Sequence, residues 1–89
     1  MNLMKKKLIY EFHPSRYKSN KALVAIHGWK GNRTSMRPLI NSINIKDMGW
    51  YLLEAPYPVK EVENGYSWSY EKSKDIWEVE EPKVLLIDF

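Results

Sequence analysis

Three stretches of this sequence hold residue types that could do chemistry: Ile26-His27-Gly28-Trp29-Lys30-Gly31, Gly65-Tyr66-Ser67-Trp68-Ser69, and the carboxylates between Glu54 and Asp88. The first joins an imidazole to a glycine-containing loop. Glycine lacks the side chain that keeps a ligand off the main chain, so backbone N–H groups there can reach a substrate. The second begins as Gly-x-Ser, the first three positions of Gly-x-Ser-x-Gly, but its fifth residue is Ser69. A nucleophilic serine of that type sits on a strained strand-to-helix turn with small residues on both sides. Trp68 is bulky and follows a loop, so Ser67 is not expected to be a nucleophile, and no catalytic residue is assigned. The carboxylates are expected to be dispersed and solvated, and two histidines are too few to complete a metal site with them. No phosphate loop or dinucleotide fingerprint is present, so neither a metal nor another cofactor is expected.

The elements that must hold these stretches follow from hydrophobic pattern. Leu8 to Phe12 predicts a short edge strand, closed at His13-Pro14 because a residue before proline is pushed out of the helical region. Ala22 to Ile26 is an unbroken apolar run, which predicts a strand buried on both faces as in parallel sheets. Met36, Leu39, Ile40 and Ile43 fall at helical spacing after a Thr34 or Ser35 cap, with Pro38 in the first turn where its missing N–H costs little. Trp50 to Glu54 predicts a further strand, stopped at Ala55-Pro56. Strand, helix and strand with short links make a βαβ unit. Tyr57 to Tyr70 is too irregular for an element, Tyr70 to Trp77 is weakly helical, and Trp77 is assigned to packing. Val84 to Phe89 has the composition of a strand, but Glu80-Glu81-Pro82 is a good helix opening, with acids at the positive end and proline in the first turn; of helix and strand, helix is preferred there. The fold class is α/β, a strand followed by a βαβ unit of a mainly parallel sheet.

The loop after the first strand of that unit lies where open α/β sheets put ligand sites. Here the order of motifs becomes specific: a strand ending in His27-Gly28, a helix, a strand ending in Ala55-Pro56, then Gly65-Tyr66-Ser67-Trp68. Over roughly residues 20–70 this resembles the phospholipase/carboxylesterase family of α/β-hydrolases. The resemblance implies an oxyanion hole formed by the backbone at Gly28 and Trp29, with the Trp29 N–H as donor, and a carboxylic ester as small-molecule substrate. It implies a substrate-pocket role for His27, Tyr66 and Trp68. Read from the residues alone, His27 could instead end its strand by hydrogen-bonding a neighbouring loop, and Tyr66 and Trp68 could simply pack. One departure is Lys30, before Gly31-Asn32, where the family has Gly then Asp, so the loop is one residue longer in effect. In the family the nucleophile elbow, the acid and the base follow later in the chain. The 89 residues are therefore expected to be the N-terminal fragment of a single domain, inactive alone. The competing reading is a non-catalytic binding or structural module on the same βαβ framework.

Composition bounds these readings. A domain of 89 residues is small, and one near that size buries only about 60% of the surface its unfolded chain exposes. With 44% hydrophobic and 28% charged residues the chain is globular in character. It has no cysteine, which argues against a disulfide scaffold and for the cytoplasm. The start is basic, but its apolar run is too short for a secretory signal, and no stretch approaches the roughly 20 residues of a membrane span. Net charge is +3, yet residues 1–46 hold ten Lys/Arg against one acid (+9) and residues 47–89 hold four against ten (−6). Such polarity suits a nucleic-acid face, or two halves that meet in the fold or pack against further chain; the latter readings are preferred, and no nucleic acid is expected as partner. Lacking further strands, the sheet is expected to leave an apolar edge open to self-association.

Overall fold

Runs of apolar residues stopped by turn residues set the order of elements. The computed structural model describes residues 7–43 and 45–89; most of the basic start lies outside them. Strand β1 is Ile9–His13, β2 is Ala22–Ile26, helix α1 is Arg37–Ile43 and strand β3 is Gly49–Glu54. Two small hairpins follow, β4 (Tyr57–Pro58) with β5 (Tyr66–Ser67) and β6 (Glu71–Ser73) with β7 (Ile76–Trp77), and helix α2 is Glu80–Ile87. The expected strands and helices are present. The hairpins correct the reading of residues 57–77 as loop and weak helix. The β6–β7 turn is held by Asp75 in a left-handed conformation (φ 61°), whose N–H donates to the Glu71 carboxylate at 2.8 Å.

The main sheet runs β1-β3-β2, with β1 antiparallel and β2 parallel to β3. It is a mixed three-stranded sheet, not a mainly parallel one. β3 takes the centre because its residues are apolar on both faces: Trp50 and Leu52 point one way, Tyr51 and Leu53 the other, and all but Tyr51 are buried. The unbroken run of β2 led to the opposite expectation. β2 is an edge strand, and the exposed Val24 and Ile26 correct the reading of a strand buried on both sides.

Each face carries one helix. Trp50, Leu52 and Ala25 form a core closed by Met36, Leu39 and Ile40 around α1. A helix of seven residues is too short to be stable by itself, so this apolar contact is what holds it. On the other face Leu53 packs with Leu8 and with Leu85 of α2, flanked by Tyr51 and Trp68. Burying each of these leucines contributes roughly 2 kcal/mol. Helix α2 is started by the Glu78 carboxylate, which accepts the N–H groups of Glu80 and Glu81 at 2.9 and 3.0 Å; these bonds hold the Glu78 carboxyl below its usual range. No helix among the described residues is long and apolar enough to cross a membrane.

Candidate functional site

The site stands at the carboxyl ends of the parallel pair β2 and β3. His27 follows directly on β2 and is 2% exposed. Its Nε2 accepts the Ala55 N–H at 3.0 Å, and its Nδ1 lies 2.6 Å from the Gly28 carbonyl oxygen. These partners fix the tautomer with the proton on Nδ1. The imidazole thus ties the end of β2 to the end of β3, with both nitrogens engaged by main chain. It shapes the site and has no nitrogen left to bind a substrate or accept its proton.

The loop after His27 turns tightly. The Gly31 N–H returns to the Gly28 carbonyl at 3.1 Å, and Lys30 adopts a left-handed conformation (φ 71°). A non-glycine residue there stores strain of about 1 kcal/mol. Gly31 is required by packing: a Cβ would lie 2.9 Å from Ser35 Oγ and 3.1 Å from His27 Nδ1. Asn32 then organises the entry to α1. Its Oδ1 accepts the Thr34 N–H at 2.8 Å and the Thr34 hydroxyl at 2.6 Å, while its own N–H donates to Ser35 Oγ at 2.9 Å. Capping was expected of Thr34 or Ser35; the side chain that gathers the turn is Asn32.

The two aromatic and glycine-bearing motifs meet here. The Lys30 N–H donates to the Tyr66 carbonyl at 3.0 Å, the Tyr66 N–H donates to the Gly31 carbonyl at 2.8 Å, and Asn32 Nδ2 donates to the Asn64 carbonyl at 2.8 Å. The Trp68 indole donates to the His27 carbonyl at 2.9 Å, with its ring centroid 5.3 Å from the imidazole. Gly65 is needed for this approach, since a Cβ would fall 2.9 Å from the Lys30 carbonyl and 2.8 Å from a Val62 methyl. Between the motifs lies a hollow of about 380 Å³ lined by Trp29, Trp68 and Trp77 with Ser67 and Ser69. Trp29 is 70% exposed, with the Lys30 ammonium 4.2 Å from its ring centroid. Among the described residues the Trp29 N–H has no hydrogen-bond partner.

Three residues stand otherwise than the sequence suggested. Tyr66 lines a separate polar hollow with Arg33 and Glu54 and does not line the apolar one, to which its main chain is tied through Lys30 and Gly31. Trp77, assigned to packing, is exposed and forms one wall; no spacing in the sequence marks it, because a hairpin with arms of three and two residues delivers it. Glu54, expected to be solvated, is 3% exposed and accepts from Arg33 Nη1 at 3.0 Å and from the Arg33 N–H at 3.3 Å. The Ser67 hydroxyl donates to the Ser69 carbonyl at 2.5 Å and accepts the Ser69 N–H at 3.2 Å, so it is held in a local turn with no imidazole partner. No three His, Asp or Glu among the described residues are grouped to hold a metal ion. Comparison with protein-family models, curated proteins and solved structures finds no match for this chain, and its function has to be argued from this geometry.

Proposed function

We propose that these residues form the oxyanion-side part of an ester-binding site of the phospholipase/carboxylesterase kind, within an α/β-hydrolase architecture. The supporting observation is that the His27–Gly31 loop and the Gly65–Trp68 segment are bound to each other at the carboxyl end of β2. The Trp29 N–H, beside Gly28, donates to the carbonyl oxygen of a carboxylic ester. The three tryptophans take its apolar portion, and His27 and Gly31 hold the loop in the donating shape. One main-chain donor stabilises developing negative charge but breaks no bond. Cleavage needs a nucleophile and a base as well, and neither Ser67 nor His27 has a side chain free for those tasks. The 89-residue chain is therefore inactive as an esterase: p-nitrophenyl butyrate turns over at the background rate, and a fluorophosphonate probe leaves the protein unlabelled. Labelling that disappears in Ser67→Ala overturns this reading.

A second reading, a non-catalytic binding module for small apolar rings, is favoured by the full engagement of both His27 nitrogens. It predicts that indole occupies the tryptophan hollow as well as an ester does, without perturbing the Trp29 amide.

A further inference from the structure

At the opposite end of the sheet, the amino end of β2, the β1–β2 connection folds over a hollow of about 450 Å³. Phe12, Tyr17 and Tyr51 supply its aromatic surface, and Arg16, Lys18 and Lys21 supply three cations. No carboxylate lines it. Phe12 is 49% and Tyr17 59% exposed, so both rings offer an open face. Phe12 is braced from behind by Tyr51, centroid to centroid 4.7 Å. The connection is anchored by the Arg16 N–H, which donates to the Lys46 carbonyl at 3.1 Å. Lys21 Nζ lies 3.3 Å from Asp47, an exposed ion pair that a phosphate can replace at little cost. The basic excess of the first half of the sequence thus gathers, in part, beside exposed aromatic rings on one side of the fold. The charge count alone could not reveal that arrangement.

Exposed aromatic faces interleaved with cations suit a chemistry that is both flat and anionic. Bases stack on Phe or Tyr irrespective of sequence, while phosphates follow the Lys and Arg positions. A purely apolar partner would leave three cations to be desolvated, and a purely anionic one would leave the rings without use. We infer that this hollow binds single-stranded nucleic acid, with a base stacked on Phe12 or Tyr17 and the adjoining phosphates on Arg16, Lys18 and Lys21. This is independent of the ester-binding reading, because it uses none of the residues at the other end of β2.

The test is fluorescence anisotropy of a labelled ten-nucleotide oligo(U) and oligo(dT) with the intact 89-residue chain, from 20 to 200 mM NaCl, with uridine monophosphate and inorganic polyphosphate as competitors. Binding is expected to be stronger for the oligomers than for the mononucleotide, and log affinity should fall linearly with log salt. The double variant Phe12→Ala/Tyr17→Ala should lose roughly ten-fold or more in oligomer affinity while still binding polyphosphate. Arg16→Gln/Lys18→Gln should reduce the salt slope by about 1.4. Circular dichroism of each variant separates loss of binding from loss of fold, and Tyr17→Phe should bind like the native chain. The proposal is overturned by absence of oligomer binding at 20 mM salt, by binding equal to that of polyphosphate and indifferent to loss of both rings, or by an anisotropy change that tracks self-association of the protein alone.

Discussion

His27 and Gly65 show how much of the site rests on main-chain geometry. His27 spends its ring on the Ala55 N–H and the Gly28 carbonyl, and its carbonyl on the Trp68 indole. One residue therefore joins β2, β3 and the segment after β5. His27→Ala removes these side-chain bonds and leaves a cavity, with an expected loss of about 2–4 kcal/mol in urea unfolding; His27→Gln, which retains a donor and an acceptor, should recover part of it. Gly65 acts by absence of a side chain. Gly65→Ala brings a methyl against the Lys30 carbonyl and Val62, and the backbone must move, costing about 1–3 kcal/mol. Both variants should shift the indole N–H resonance of Trp68, which reports its bond to the His27 carbonyl. If Gly65→Ala melts at the native temperature, the close approach of the two segments is wrong.

At the scale of elements, charge ties β1 to the start of α1. Glu11 accepts from Arg37 Nε and Nη2 at 2.9 and 2.5 Å, from His13 Nε2 at 3.0 Å, and lies 3.6 Å from Arg33 Nε. The Arg37 hydrogen bonds, aided by His13, outweigh desolvation and hold the Glu11 carboxyl down at about 2 against its ordinary 4.5. A carboxyl whose folded value lies below its unfolded one contributes stability that is complete above the unfolded value and disappears as pH falls toward the folded one. Thermal melts should thus lose stability between about pH 4.5 and pH 2, and Glu11→Gln should flatten that limb; an unchanged limb would remove Glu11 from the account. Because Arg37 is half exposed, solvent screens the pair, and the substitution should cost only about 1 kcal/mol at neutral pH. Elements with a long pattern were legible beforehand: the apolar runs of β2 and β3, the i, i+3, i+4 stripe of α1, and the acidic, proline-bearing opening of α2. The hairpins were not, since arms of two or three residues are too short to display a period of two. Nor does an apolar run reveal whether its strand lies at the centre or the edge, which is why β2, expected to be buried on both faces, stands at the edge. The two motifs of the site were legible separately; the bonds that join them, across more than thirty residues of sequence, were not.

As a whole molecule, the chain has a central strand covered on both faces and, among the described residues, an open edge at β2. That strand carries no charge and no proline, the usual guards of a sheet edge, and Val24 and Ile26 stand exposed beside it. Sedimentation of the native chain should show concentration-dependent association, and Val24→Lys should shift it toward monomer with little loss of stability. A native chain monomeric at 100 µM or so would contradict this expectation. The end proposed to bind an ester lies at the other extreme of β2 from the basic hollow, so binding at either can be followed without disturbing the other. That proposed site turns on a single amide, the N–H of Trp29. A ¹⁵N-resolved titration with a short-chain alkyl phosphonate monoester, whose anionic oxygen stands in for the oxyanion, follows that amide directly. The Trp29 amide is expected to move downfield together with the indole signals of Trp29, Trp68 and Trp77. Movement of the indoles with an unmoved Trp29 amide, or no movement at millimolar ligand, would contradict it.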